Sequence, residues 1–132
     1  MAATRLIALH ANKGKTISQC IRDRTDYAKN GEKTEDGFYI STYECDQETV
    51  TEEFMAAKRE YLRKTGRANG SDVIAYQIRQ SFKPGEITPE EANKVGYEMA
   101  MRFTKGKHMF IVATHTDKAH IHNHIIYNLS LI

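Results

Sequence analysis

Four of the six histidines in this 132-residue chain fall within ten residues of one another near its end. Three of them alternate with other residues in a run that continues into Ile125-Ile126-Tyr127, namely His120, His122 and His124. Such alternation is typical of a β-strand, and the period of two puts the three imidazoles on one face. Neutral imidazole is a common ligand of divalent transition metals. The run, with His115 just before it, therefore predicts a metal site rather than a merely solvated strand face.

Reach limits which histidines can share one ion. Side chains two positions apart on a strand are roughly 7 Å apart, and two such imidazoles can lean onto one metal at ~2.1 Å from each nitrogen. His120 and His124 are roughly 13 Å apart by the same rise. A single site therefore uses His122 with one neighbour and needs a ligand from another segment, for which His115 is the nearest candidate. The reach argument leaves both His120 and His124 open as the second ligand beside His122.

The elements that must position this strand follow from residue periodicity. The pattern predicts five strands, at residues 4–10, 38–44, 72–82, 109–113 and about 120–127, and three helices, at about 16–29, 47–64 and 88–105. Capping-box patterns mark the helix starts at Thr16, Thr49 and Thr88, and residues 30–37 read as a polar loop. The turn between the last two strands makes them a hairpin, so His115 joins the histidine face if it lies opposite His120 or His122.

The order of these elements predicts an α+β fold of one domain, residues 1–132. We expect two layers, with a central antiparallel or mixed sheet of about five strands and the helices on one face. The strand at 72–82 has an apolar face with Ile78 and a polar face with Gln77, Arg79 and Ser81, which is free to meet a substrate.

Composition excludes several classes of protein. Apolar residues are 40% and charged residues 27% of the chain, as in ordinary globular domains. No apolar run approaches ~20 residues, so we expect no membrane insertion. Cys20 and Cys45 lack a CxxC spacing and read as reduced intracellular thiols. The GxxxxGK[ST] and HExxH motifs are both missing, which leaves metal-assisted attack on a phosphate or an ester. Seven tyrosines raise a tyrosine nucleophile as one option.

Three motifs then resemble one family. The run from His115 to Asn128 resembles the histidine motif of conjugative relaxases of the mobilisation-nuclease type, which belong to the HUH single-strand endonucleases. Residues 26–34, DYAKNGEKT, are similar to the tyrosine motif of that family, although Gly31 stands where its members usually carry Pro. Ser81-Phe82 with the turn after it is similar to the middle motif. The order and spacing of the three motifs match, and the resemblance covers essentially the whole chain.

The resemblance implies a metal-dependent, site- and strand-specific DNA endonuclease and strand transferase that nicks an origin of transfer. It makes Tyr27 the nucleophile, which forms a 5′-phosphotyrosyl link and frees a 3′-OH. It makes His115, His122 and His124 the ligands of a divalent metal, with Mg²⁺ or Mn²⁺ expected first and Zn²⁺ as the alternative. His120 is the rival ligand, because His120-Ile121-His122 is the more literal match to the histidine pair.

Other residues receive supporting roles from the same resemblance. Asn128 and Ser81 are expected to support the site or contact DNA, and Asp117 either to orient a ligand histidine or to serve as a turn residue. Apart from the resemblance, Arg79 on the polar strand face and Lys83 are candidates for contacting DNA, with an ordinary turn lysine as the alternative for Lys83. The expected partners are single-stranded DNA at an origin of transfer and accessory DNA-binding and secretion-coupling proteins. The expected location is the bacterial cytoplasm, with passage into the recipient cell beside the DNA. Members of the family are longer, so the chain reads as the nuclease fragment of a larger protein.

Two other functions fit the same residues. One is an HUH replication initiator, which uses the same chemistry. The other is a histidine–metal DNA-binding module that does not cleave. The position of the Tyr27 hydroxyl relative to the histidines separates cleavage from binding alone.

Overall fold

The computed structural model describes residues 3–11, 14–34, 39–66 and 73–129. In chain order the elements are β1 (Ala3–His10), α1 (Ile17–Ala28), α2 (Gly31–Thr34), β2 (Ile40–Tyr43), α3 (Val50–Thr65), β3 (Val73–Ser81), α4 (Pro89–Thr104), β4 (Phe110–His115) and β5 (His122–Asn128). Five strands and three long helices are confirmed. The expected starts of two strands, at Phe38 and Asp72, lie outside the described residues. The short helix α2 occupies part of the expected polar loop.

The five strands form one antiparallel sheet in the order β1-β3-β5-β4-β2. The histidine strand β5 is therefore the central strand, between β3 and its hairpin partner β4. His115 lies directly opposite His122, as the hairpin argument allowed. Residues directly opposite in adjacent strands share a face, so this register sets which side chains meet the histidines.

The helices cover both faces of this sheet. Ile111 and Ala113 of β4 pack into a core cluster with residues of α1 and α3. Phe110 and Val112 alternate with them and pack with Ala100 of α4 in a second cluster. The α+β class is confirmed. The helices, however, lie on both faces of the sheet and not on one face as expected. The reason is that β4 and β5 are buried along their whole length, and consecutive apolar residues on a strand need cover from both sides.

Local signals account for most helix ends. Thr88 and Glu91 form the predicted capping box, with Oγ1 of Thr88 accepting from the backbone N–H of Glu91 at 3.2 Å. Thr16 caps α1 by accepting from the backbone N–H three residues on. The box predicted at Thr49 does not form; its hydroxyl instead donates to the carboxylate of Glu53 at 2.9 Å. No helix among the described residues has the length and apolar character that crossing a bilayer requires.

Candidate metal centre and its tyrosine

Three histidines meet on one face of the β4–β5 hairpin. His115, His122 and His124 each offer one nitrogen, and the three nitrogens lie within 4.8 Å of one another. The ring centroids of His115 and His124 are 4.2 Å apart, and each is 5.0 Å from that of His122. All three side chains are buried, at 0%, 8% and 5% exposure. The spacing is that of three ligands arranged around one ion.

Hydrogen bonds leave nitrogens available to a ligand. Nε2 of His115 donates to the backbone carbonyl of Ala28 at 2.8 Å, so Nδ1 carries the lone pair. The side-chain amide of Gln77 lies 3.3 Å from Nδ1 of His124. With the amide oxygen turned to accept from Nδ1–H, Nε2 of His124 carries the lone pair. Nδ1 of His115 and Nε2 of His124 are both buried without a hydrogen-bond partner in the described part of the chain. Unpartnered buried polar atoms are unfavourable unless a ligand satisfies them, so the residues fit a bound cation.

Burial keeps these imidazoles neutral. It is the main cause that lowers the pKa of all three histidines. The effect is largest for His124, whose pKa falls to about 3, because His115, His122 and the cations Arg79 and Lys33 add repulsion. A metal ligand must be deprotonated. The site is therefore ready to bind a cation at neutral pH without displacing a proton.

His120 lies outside this group. Its side chain is exposed, and its Nδ1 is 3.3 Å from the backbone carbonyl of Phe82. Its own carbonyl accepts from Nδ1 of His122 at 3.2 Å, which leaves Nε2 of His122 for a ligand. Strand pairing begins at His122, so His120 falls in the turn and not on the pleated face. Between the two neighbours that the reach argument left open, the structure brings His124 to His122.

Tyr27 stands at the edge of the three-histidine group. It lies in the last turn of α1, and its ring centroid is 5.9 Å from that of His115 and 5.8 Å from that of His124. The next residue, Ala28, is buried, and its carbonyl holds His115. The Tyr27 side chain remains 55% exposed. The end of α1 thus docks on the hairpin and leaves the phenol beside the histidines, open to solvent.

Asp117 does not contact a ligand histidine. Its carboxylate lies 2.9 Å from Nζ of Lys33, and this bond lowers the pKa of Asp117. Among the described residues, the hydrogen-bond partners of the three histidine rings are the backbone carbonyls of Ala28 and His120 and the amide of Gln77. Alternation placed Gln77 on the polar face of β3, but only the tertiary structure shows that it meets His124.

The other expected site residues divide by position. Ser81 lies opposite His122 and Arg79 opposite His124, so both share the histidine face. Lys83 is exposed in the turn after β3. Asn128 is buried at the far end of β5, roughly 13 Å along the strand from His124. The structure thus places Asn128 away from the three histidines.

A buried polar network lies on the opposite face of the hairpin. Nδ2 of Asn123 donates to Oε1 of Gln80 at 2.9 Å and to the carbonyl of Ala92 at 2.7 Å, while its Oδ1 accepts from Thr114 at 2.6 Å. Thr114 in turn accepts from Nδ2 of Asn93 in α4 at 3.1 Å. These contacts tie α4 to the hairpin directly behind the histidines. Sequence analysis missed the network, although a polar residue between two inward histidines must point to the other face.

The comparisons with known proteins agree with this geometry. The sequence model of the family "Relaxase: MobA/VirD2-like, nuclease domain" matches residues 27–130, from the tyrosine through the histidine strand. The chain belongs to this family of relaxase nuclease domains. The resemblance inferred from the three motifs is thereby confirmed.

Individual curated proteins are similar to parts of this chain. Protein rlx of Staphylococcus aureus is 39% identical over 84 residues, which are 64% of this chain and 24% of that protein. The group II intron-interrupted relaxase LtrB of Lactococcus lactis subsp. cremoris is 44% identical over 57 residues, which are 42% of this chain and 10% of that protein. The matched region thus spans about a quarter or less of these curated relatives.

Proposed function

We propose that this chain is the DNA-nicking domain of a relaxase, which cuts one strand at an origin of transfer through a covalent bond to Tyr27. The observation that carries the proposal is the position of the exposed Tyr27 ring, 5.8 Å and 5.9 Å from two buried histidine rings. The reaction would serve the mobilisation of a plasmid or integrative element. Its substrate is single-stranded DNA, and accessory DNA-binding and secretion-coupling proteins are the further partners.

A divalent cation belongs to this proposal. Nδ1 of His115 and Nε2 of His122 and His124 would hold it, since these nitrogens are left over by the hydrogen bonds of the three rings. When bound, such a cation polarises a phosphoryl oxygen as a Lewis acid. Imidazole donors suit Zn²⁺ and other first-row transition metals, of which Mn²⁺ binds most weakly, whereas Mg²⁺ prefers carboxylate and water oxygens. The donor set therefore puts Mn²⁺ or Zn²⁺ ahead of Mg²⁺.

The protein's own part in the reaction follows from Tyr27. Its phenolic oxygen attacks the scissile phosphorus and forms the tyrosine–phosphate bond, while its proton passes to solvent. The bond from phosphorus to the 3′-oxygen breaks, and that oxygen takes up a proton to become a free 3′-OH. Attack of a 3′-OH on the 5′-phosphotyrosine reverses both steps and rejoins the strand. The exposure of the ring is what allows a DNA strand to reach it.

Two side chains of β3 are suited to guide the strand. Arg79 is exposed opposite His124, and Ser81 is half-buried opposite His122. A guanidinium and a hydroxyl are both common donors to phosphate oxygens. Lys83 extends the same line into the following turn. We propose that the DNA backbone follows these residues to Tyr27.

The test is trapping of a covalent adduct. Labelled single-stranded oligonucleotides that tile the candidate transfer region are incubated with the protein and Mn²⁺, Zn²⁺, Mg²⁺ or EDTA, and denaturing gels detect protein-linked DNA. We expect the fragment on the 3′ side of the nick to remain attached, metal to be required, and Tyr27→Phe to abolish the adduct. Tyr61→Phe is the matched control, because Tyr61 is 39% exposed on α3 and lies outside the site.

Four outcomes would contradict the proposal. An adduct that survives Tyr27→Phe would place the nucleophile elsewhere. Attachment of the fragment on the 5′ side would reverse the polarity. Sequence-selective binding without any adduct would favour the non-cleaving DNA-binding module, and adducts restricted to replication-origin oligonucleotides would favour a replication initiator.

A further inference from the structure

Lys33 is anchored from both ends beside the three-histidine group. Its backbone carbonyl accepts from the N–H of Thr116 at 2.7 Å, in the turn that follows β4. Its ammonium forms the 2.9 Å ion pair with Asp117 in the same turn. The turn begins directly after the ligand candidate His115. The short helix α2 is thus fastened to the hairpin through Lys33, and the side chain has little freedom to leave.

The same ammonium faces Tyr27. Nζ of Lys33 lies 5.6 Å from the centroid of the Tyr27 ring, within the ~6 Å range of a cation–π contact. The ion pair lies at the surface, but its side chains are less exposed, at 23% for Lys33 and 24% for Asp117, than those of the pair Arg22–Glu52, at 41% and 55%. A cation held in place beside an exposed phenol is a stronger electrostatic partner than a lysine moving freely in water.

The reaction brings negative charge to this position. A phosphodiester carries one charge, and the attacking phenol adds more as it loses its proton. Catalysis gains most from charged groups that are already positioned where such charge develops. Lysine binds phosphate as a point charge. The contact with Asp117 supplies that positioning, because it holds the ammonium beside Tyr27.

We propose, resting on the function proposed above, that Lys33 is a catalytic residue that binds a non-bridging oxygen of the scissile phosphate, and that Asp117 positions it over Tyr27. The competing explanation is that Lys33 only fixes the Tyr27 ring and docks α2. The two explanations differ in whether the lysine senses the charge of one particular phosphate.

The first test separates DNA binding from the covalent step. Lys33→Gln is expected to slow adduct formation at saturating DNA by about 100-fold. Lys33→Arg, which keeps the charge and the partner Asp117, is expected to recover much of the rate. Lys118→Gln is the matched control, because it removes the same charge from an exposed lysine of the same turn; its rate should stay within twofold of the parent. Thermal unfolding verifies that each variant is folded.

The second test needs no cleavage. In the Tyr27→Phe background, binding is measured to oligonucleotides in which one phosphate at a time is replaced by a neutral methylphosphonate. With Lys33 present, neutralising the scissile phosphate should weaken binding by about 10-fold, the typical worth of one charge-assisted contact. With Lys33→Gln the same replacement should change binding by less than twofold.

The results separate this inference from the parent proposal. If the unmodified protein forms no adduct, the nickase proposal fails, and the methylphosphonate comparison still decides whether Lys33 contacts a phosphate. If adducts form at equal rates with Lys33→Gln and Lys118→Gln, or if the methylphosphonate effect persists without Lys33, the inference is wrong and Lys33 only docks α2.

Discussion

Replacing Asn123 with alanine tests whether the polar network behind the histidines positions them. The substitution removes three buried hydrogen bonds, to Gln80, Ala92 and Thr114. At about 1 kcal/mol for each bond, plus the stranding of buried partners and a small cavity, the free energy of unfolding should fall by about 3–5 kcal/mol. Domains of this size are stable by about 5–15 kcal/mol. We therefore expect a folded but weakened protein, measurable by urea denaturation at 25 °C.

The same variant should bind metal less tightly. Asn123 lies between His122 and His124 in the central strand, and its amide holds that strand against α4 through the carbonyl of Ala92. Residues that orient metal ligands typically change affinity by about 10- to 100-fold. We expect a loss of about 10-fold in Mn²⁺ affinity, measured by isothermal titration calorimetry. Ile78→Ala is the control, since Ile78 is 1% exposed and packs in the apolar cluster on the same face.

The control separates positioning from general destabilisation. Ile78→Ala should weaken folding by about 2–5 kcal/mol, comparable to the Asn123 variant, while Mn²⁺ affinity stays within twofold of the parent. Equal Mn²⁺ affinities for Asn123→Ala and Ile78→Ala would refute the reasoning, because the network would then support the sheet alone. A loss of under 1 kcal/mol for Asn123→Ala would show that the hydrogen bonds are not formed in solution.

Three further predictions follow from the site. His122→Ala should lower Mn²⁺ affinity by more than about 10-fold, whereas calorimetry of His120→Ala should show a change under twofold; equal losses would return His120 to the ligand set. The pKa of His124 is about 3 in the folded protein, against 6.5 in the unfolded chain. Between these two values the unfolded chain binds more protons than the folded protein. The contribution of His124 to the free energy of unfolding is therefore fully present above pH 6.5 and is lost as the pH falls. Urea denaturation in EDTA should therefore show a loss of about 2 kcal/mol from this group between pH 7.5 and 5, and a parallel loss in His124→Gln would contradict the assignment. Gly96→Ala would place a Cβ 2.6 Å from Nδ2 of Asn123. The cost of overpacking, about 1–3 kcal/mol, should exceed the gain in helix propensity of about 1 kcal/mol, so the variant should be less stable in urea denaturation. A more stable variant would show that the side chains of the network can shift without cost.

Some features of this protein could be predicted from the sequence because their causes are local. The capping box at Thr88 depends on residues three apart in the chain. The hairpin of β4 and β5 follows from a short turn between two strands, which allowed His115 to lie opposite His120 or His122, and alternation puts Ser81 and Arg79 on the face they occupy. In each case a short stretch contains the hydrogen bonds or the period that decides the outcome. The family followed from motifs of the same kind, and residues 27–130 match it.

Other features depend on packing between distant segments. Alternation could not choose between His120 and His124, because the choice depends on where pairing with β3 and β4 begins. The apolar residues of β4 are buried on both faces of the sheet. Which helices cover each face depends on the packing, which puts α4 on one face and α1 and α3 on the other.

The sequence by itself determined the five strands, the three long helices, the family and the histidine strand, since each rests on periodicity or spacing within a few dozen residues. Tertiary structure alone decided that Asp117 pairs with Lys33 and not with a histidine, and that Tyr27, 88 residues before His115, lies at the edge of the three-histidine group. The physical reason is that the carbonyl of Ala28 binds His115 only when α1 docks on the sheet. A contact of that kind depends on the packing of the whole domain and leaves no local pattern in the chain.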